Sequence, residues 1–174
     1  MIFGRFARIG AVAGALAVAA CASPATYQGM TVLPSDAGTP NPTLKGAITV
    51  GDVSGGQDTN PLWMSKVDNA SFKKALEESL SVVGYLAPPG SNPSFTLSAD
   101  LQSLDQPWIG ITLDVKSTVD YKLTGGGNSK DYPITATGTA TFSDSAIAIE
   151  RLRIANEKSI QENIKELLRQ LQGF

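Results

Sequence analysis

The chain has 174 residues, with 14 Lys and Arg against 16 Asp and Glu, no histidine and one cysteine. The lack of histidine removes both the commonest general base and the commonest metal ligand, and a lone cysteine excludes an intrachain disulfide. A net charge of −2 offers no electrostatic footprint for nucleic acid.

The opening MIFGRFAR carries Arg5 and Arg8 and no acid, and Ile9 to Ala20 carries no charge. A basic start, a short apolar run and small residues at its end predict a secretory signal peptide over residues 1–20. The run is too short to cross a hydrocarbon core, which takes about 20 apolar residues. It ends Val18-Ala19-Ala20-Cys21, an aliphatic residue, two small ones and a cysteine. This stretch resembles the lipobox of bacterial lipoproteins. The resemblance implies cleavage between Ala20 and Cys21, diacylglycerol on the Cys21 sulfur, and an acyl chain such as palmitate on the new amino terminus. One acyl chain holds a membrane weakly, and two or three hold it stably. Read from the residues alone, Cys21 is either this attachment site or an ordinary small residue near a signal cleavage point. Ala22 follows the cysteine where an aspartate would resemble an inner-membrane retention signal. This implies the periplasmic face of the outer membrane, with the inner membrane or another cell membrane as the alternative. Loss of Arg5 and Arg8 leaves 12 basic against 16 acidic residues, a balance that favours neither nucleic acid nor an anionic surface.

Residues 21–44 contain Pro24, Pro34, Pro40 and Pro42 among Ala, Ser, Thr and Gly. This composition opposes helix and central strand, so a lipidated N-terminus and flexible tether are expected here. Its root-mean-square reach would be about 25–30 Å. The apolar piece Met30–Leu33 could instead pack on the domain.

A single α+β domain is expected over 45–174. GAITVGDV (46–53) reads as a first strand, followed by a loop holding Pro61 and Trp63. Phe72, Ala75, Leu76, Leu80 and Val83 recur at helical spacing. Asp68 or Asn69 is placed to cap that helix, and Gly84 to end it. Three alternating runs follow. The first has Phe95, Leu97, Ala99 and Leu101 on its apolar face. The second has Ile111, Leu113, Val115, Ser117, Val119, Tyr121 and Leu123. The third has Ile134, Ala136, Gly138, Ala140 and Phe142. Period-two alternation predicts a sheet covered on one face and wet on the other. TGGGNSKD between the last two runs predicts a hairpin. A long helix is expected from about Ser145 to Leu171, on the stripe Ile149, Leu152, Ile160, Ile164, Leu167 and Leu171, interrupted by Asn156. The order βαβββα predicts a two-layer sandwich, a four-stranded mixed sheet with two helices on one face. This order behind a lipobox resembles small Gram-negative envelope lipoproteins: LptE, the YajG-like lipoproteins and the N-terminal domain of TolB. Two segments, TNPLWMSKVDNASFKKALEESL and RLRIANEKSIQENIKELL, also resemble an uncharacterised group of proteobacterial lipoproteins. The resemblance carries over no residue except Cys21.

Enzyme chemistry finds little support. Cys21 is committed, and Ser54 in GDVSGG departs from the G-x-S-x-G elbow. Asp114 and Asp120 are six strand residues apart, about 20 Å, too far for a paired-carboxylate site. TGGGNSK lacks the spacing of a phosphate loop. No catalytic residue, metal or cofactor is expected.

The candidate binding surface is Pro61, Trp63, Pro107 and Trp108. A parallel strand–helix–strand unit brings the first and third connections to one end of the sheet. Each tryptophan there either plugs the sandwich core or serves as an interface anchor. The tether is expected to arrive at the opposite end. Two functions fit: a non-enzymatic, lipid-anchored partner or assembly factor of a periplasmic or outer-membrane complex, and a carrier of lipid or glycan between helices and sheet. The carrier needs a cavity of several hundred Å³. The small residues Ala99, Ala136, Gly138 and Ala140 would either leave that room or seat the helices close to the sheet.

Overall fold

The computed structural model describes residues 21–62 and 64–174. Residues 1–20, expected as a signal peptide ending at Ala20, and Trp63 lie outside the described residues. Four strands, β1 (Ile48–Ser54), β2 (Phe95–Asp105), β3 (Leu113–Gly125) and β4 (Asn128–Ala140), form one sheet in the order β1-β2-β3-β4. β1 and β2 are parallel, and the other pairs are antiparallel. Helices α2 (Asn69–Val82) and α3 (Ala148–Leu171) cover one face. The expected α+β sandwich is the observed one, with a third, four-residue helix α1 (Tyr27–Met30) added ahead of β1.

The local signals act as the residue types require. Asp68 caps α2 by accepting a hydrogen bond from the Ser71 amide at 2.8 Å. At its other end Gly84 takes φ +74°, the Tyr85 amide donates to the Leu80 carbonyl and the Gly84 amide to Ser81. That pair of bonds closes the helix and is open to glycine because φ is positive. β3 and β4 join through Gly126 and Gly127 in a two-residue turn, with Gly125 opposite Asn128.

The sheet's inner face carries Leu97, Ala99, Leu101, Val115, Val119, Tyr121, Leu123 and Ile134, all buried. Gly138 brings α3 against β4. A Cβ there would overlap the Ser159 amide nitrogen and the Ala155 carbonyl oxygen. Ser117, inside the alternation of β3, is buried too, and exchanges hydrogen bonds with Ser159 and Asn163 of α3. The small inward residues therefore seat a helix rather than leave space.

Two expectations about strand length are corrected. The β3–β4 ladder ends at Leu113 opposite Ala140. Ile111 and Phe142 continue the alternation beyond it, have no partner strand, and are 75 % and 61 % exposed.

The larger correction concerns residues 21–44, expected as a flexible tether with packing of Met30–Leu33 on the domain as the alternative; the packed alternative holds for Met30 and Val32 and extends well beyond them. The segment forms a strap packed in the groove between α2 and α3. Ala25, Met30, Val32 and Leu44 are fully or almost fully buried. Glu157 of α3 accepts from the Thr26 amide and hydroxyl, both at 2.7 Å. Ser79 of α2 accepts from the Val32 amide at 3.0 Å, and Gln161 of α3 donates to the Thr31 carbonyl at 2.7 Å. The Asn41 amide reaches the Tyr85 hydroxyl at 2.6 Å. Burying side chains the size of Met30, Val32 and Leu44 contributes about 1.5–3 kcal/mol each, which offsets much of the cost of ordering the strap. The folded unit thus includes residues 22–44, ahead of the expected start at Lys45. Two 3₁₀ turns, Pro34–Asp36 and Pro42–Leu44, use prolines that cannot continue a helix.

Candidate functional site

The end of the sheet where β1, β2 and β4 finish gathers three connections: residues 55–68, 106–112 and 141–147. Trp108 stands in the second of these, 90 % exposed. It does not plug the core. Pro107 is half-buried and Pro61 is exposed. The Ala22 amide donates to the Pro61 carbonyl at 2.7 Å. The strap therefore starts at this end, runs down the helix groove and enters β1 from the other. The expectation that the candidate surface lies away from the tether is overturned. Cys21, exposed, stands one residue before the bond that joins the strap to the Pro61 loop.

A buried polar network holds this end together. Asn156, the residue that interrupts the apolar stripe of α3, is fully buried. Its side-chain amide donates to the Ser65 carbonyl at 3.0 Å, and its carbonyl accepts from Gln106 at 2.7 Å. Gln106 also donates to the Ser65 carbonyl at 2.8 Å, and the Ser65 hydroxyl donates to the Ser23 carbonyl at 2.7 Å. Strap, first loop, second loop and helix are thus linked through three side chains, Asn156, Gln106 and Ser65. Buried networks of this kind fix one arrangement, because each bond lost would leave a buried group unpaired at a cost of about 1–3 kcal/mol; the Gln106 side-chain oxygen is the one atom of this network already without a partner.

Arg151 makes a second junction. It is buried, and its guanidinium donates to the carbonyls of Ser145, Ala146 and Gly110, tying the loop after β4 to the loop after β2. It also stacks over the Phe142 ring at 5.6 Å. Asp144 accepts from the Thr141 amide and from Lys158. These bonds, the Lys158 contact first, hold its carboxyl down at about 2. Between the loop after β2 and the first turns of α3 lies an apolar hollow of about 320 Å³ lined by Pro107, Trp108, Ile109, Leu113, Ile149 and Leu152.

The outer face of the sheet is polar, as its alternation predicts. Asp114 accepts from Thr139, Asp100 from Ser54 and Gln102, and Lys122 pairs with Asp131. A shallow hollow of about 610 Å³ lies over this face, lined by Asp52, Ser54, Asp100, Gln102, Asp120 and Lys122. Ser54 leads out of β1 into the loop, and its hydroxyl is engaged by Asp100.

The residue pattern pointed to Trp108 and Pro107 and signalled Asn156 through its break in the stripe. Arg151, Leu62 and Ile109 carried no such signal. Their role comes from where the loops meet.

The fold has solved counterparts. The chain is similar to a DUF330-family protein from Xanthomonas campestris. The two share 13 % identity and superpose with a TM-score of 0.51, over 75 % of this chain and 87 % of the other. An uncharacterized protein matches at 0.50 with 10 % identity, over 76 % of this chain and 99 % of its own. A candidate lipoprotein from Caulobacter crescentus aligns at 0.49 with 12 % identity, over 80 % and 92 % of the two chains. No protein-family model matches the sequence, and no curated protein matches it. At these identities the likeness is one of fold. No described helix is long and apolar enough to cross a membrane.

Proposed function

We propose that the protein is a non-enzymatic lipoprotein of the cell envelope. In this reading Cys21 carries the lipid, and the domain serves as a partner or assembly factor of a periplasmic or outer-membrane complex. The observation that carries the reading is the place of Cys21. It follows a lipobox-like stretch and begins a strap that is bonded into the fold from Ala22 onward. A lipid there would hold the domain itself, not a loose tail.

The resemblance of its lipobox-led element order to LptE, the YajG-like lipoproteins and the N-terminal domain of TolB supports the envelope assignment. Ala22 after the cysteine supports the periplasmic face of the outer membrane. The partner role draws support from the packing. The strap fills the groove between α2 and α3, and Gly138 seats α3 on the sheet, so the layer in which a carrier would hold cargo is occupied by the chain's own residues. The polar outer face of the sheet and the edge strand β4 remain open to a protein partner.

The test is fractionation of native membranes with mass spectrometry of the mature chain. The native chain should carry acyl mass on Cys21 and sediment with outer membrane. Cys21→Ser should be released or remain as precursor. A processed Cys21→Ser chain that still fractionates with membrane contradicts the reading.

A further inference from the structure

Nine large apolar side chains are exposed among the described residues, and six of them stand at the Cys21 end: Leu62, Trp108, Ile109, Ile111, Phe142 and Ile147. Trp108 and Ile109, at 90 % and 93 % exposure, are the most exposed of them. The segments 21–31, 59–65, 106–113 and 145–149 contain no charged residue. Of the charged groups that flank these segments, Asp105 pairs with Lys116 and Glu150 with Arg153, while Asp58 and Lys66 bracket the stretch 59–65 without an ion pair among the described residues. Arg151 is buried against carbonyls, and Asp144 is paired with Lys158.

We propose that this end of the domain is seated in the bilayer interface, with Trp108, Ile109 and Ile111 entering the boundary between headgroups and acyl chains. The inference rests on the reading of Cys21 as the lipid-attachment site. The Ala22–Pro61 bond leaves the anchor no length of free chain, so acyl chains on Cys21 bring the Pro61 loop and its neighbours to the membrane surface. The uncharged stretches 59–65 and 106–113 lose little on leaving water there, whereas desolvating charge would be costly. Trp is favoured at this depth because its ring is apolar and its N–H still finds a polar partner. The aliphatic residues beside it add apolar burial to the hold of the acyl chains. The exposed residues sit on loops of separate origin, pinned to one another by Asn156, Gln106 and Arg151. The apolar end is thereby held as one rigid tip.

The test uses the mature chain purified from membranes, with its acyl mass verified, in vesicles of phosphatidylethanolamine and phosphatidylglycerol. A Trp63→Phe variant leaves Trp108 as the sole indole. Its emission should shift to the blue on the vesicles and be quenched when the same lipids carry bromine on their acyl chains. Ile109→Asp, at a position with no role in the core, should reverse much of that quenching. If Trp63→Phe fails to fold, amide exchange across residues 106–113 of the unsubstituted chain gives the same answer, slowing on vesicles relative to the Cys21→Ser chain in buffer. An acylated chain whose Trp108 stays water-exposed on vesicles, or is shielded without bromine quenching because a second copy covers it, overturns the inference alone. Absence of acyl mass overturns the lipoprotein reading and the inference with it.

Discussion

The Ala22 amide bonds to the Pro61 carbonyl at 2.7 Å, and that one contact sets which end of the domain a lipid on Cys21 would serve under the proposed function. It joins the first residue after Cys21 to the loop between β1 and α2. From there the strap follows the helix groove for the length of the domain.

The strap should behave as core. Met30 is fully buried against α2 and α3, so Met30→Ala should lower stability by about 2–5 kcal/mol. Urea denaturation of the mature chain measures this. A change near zero would restore the flexible tether.

Trp108 should behave in the opposite way. Trp108→Ala removes an exposed side chain, so unfolding free energy should change by about 0.5 kcal/mol or less. A loss of about 3–5 kcal/mol would mean that the indole closes the core after all.

Gly138 permits the close approach of α3 to β4. Gly138→Val places methyl groups where the Ser159 and Ala155 backbone lies. Helix and strand must then separate, at a cost of about 1–3 kcal/mol or more. Thermal melts read the loss, and an unchanged melting temperature would contradict the packing.

The turn after β4 should depend on pH through Asp144. Its folded pKa is depressed, to about 2 from an ordinary 3.8, so the ionised form is the one the fold favours. The contribution is fully present above the ordinary value and is lost as pH falls toward about 2. Carboxyl NMR should place the Asp144 midpoint near 2, and a midpoint near 4 would contradict the bonds from Thr141 and Lys158.

Much of this fold was legible because local rules and tertiary demands agree. Asp68, Gly84 and the run from Leu113 to Leu123 each do in the fold what their residue type does elsewhere. Ile111 and Phe142 misled because periodicity records which face a residue would take, not where the partner strand stops. The strap was hidden for a different reason. Met30–Leu33 is one short apolar piece and Leu44 a lone apolar residue among prolines, too little pattern to show that the whole segment packs. Their burial depends on a groove made by α2 and α3, far along the chain. The site was half-visible. Topology put Trp108 at the correct end, but no local pattern tells which way a strap will run across a helix pair.

The central claim is that the anchor leaves no slack between lipid and domain. Neutron reflectivity from the acylated chain on a supported bilayer measures that gap directly. The account predicts protein density beginning within the headgroup layer, with no water layer beneath it. A water-filled gap of about 25–30 Å, the reach of a flexible chain as long as residues 22–44, would contradict it.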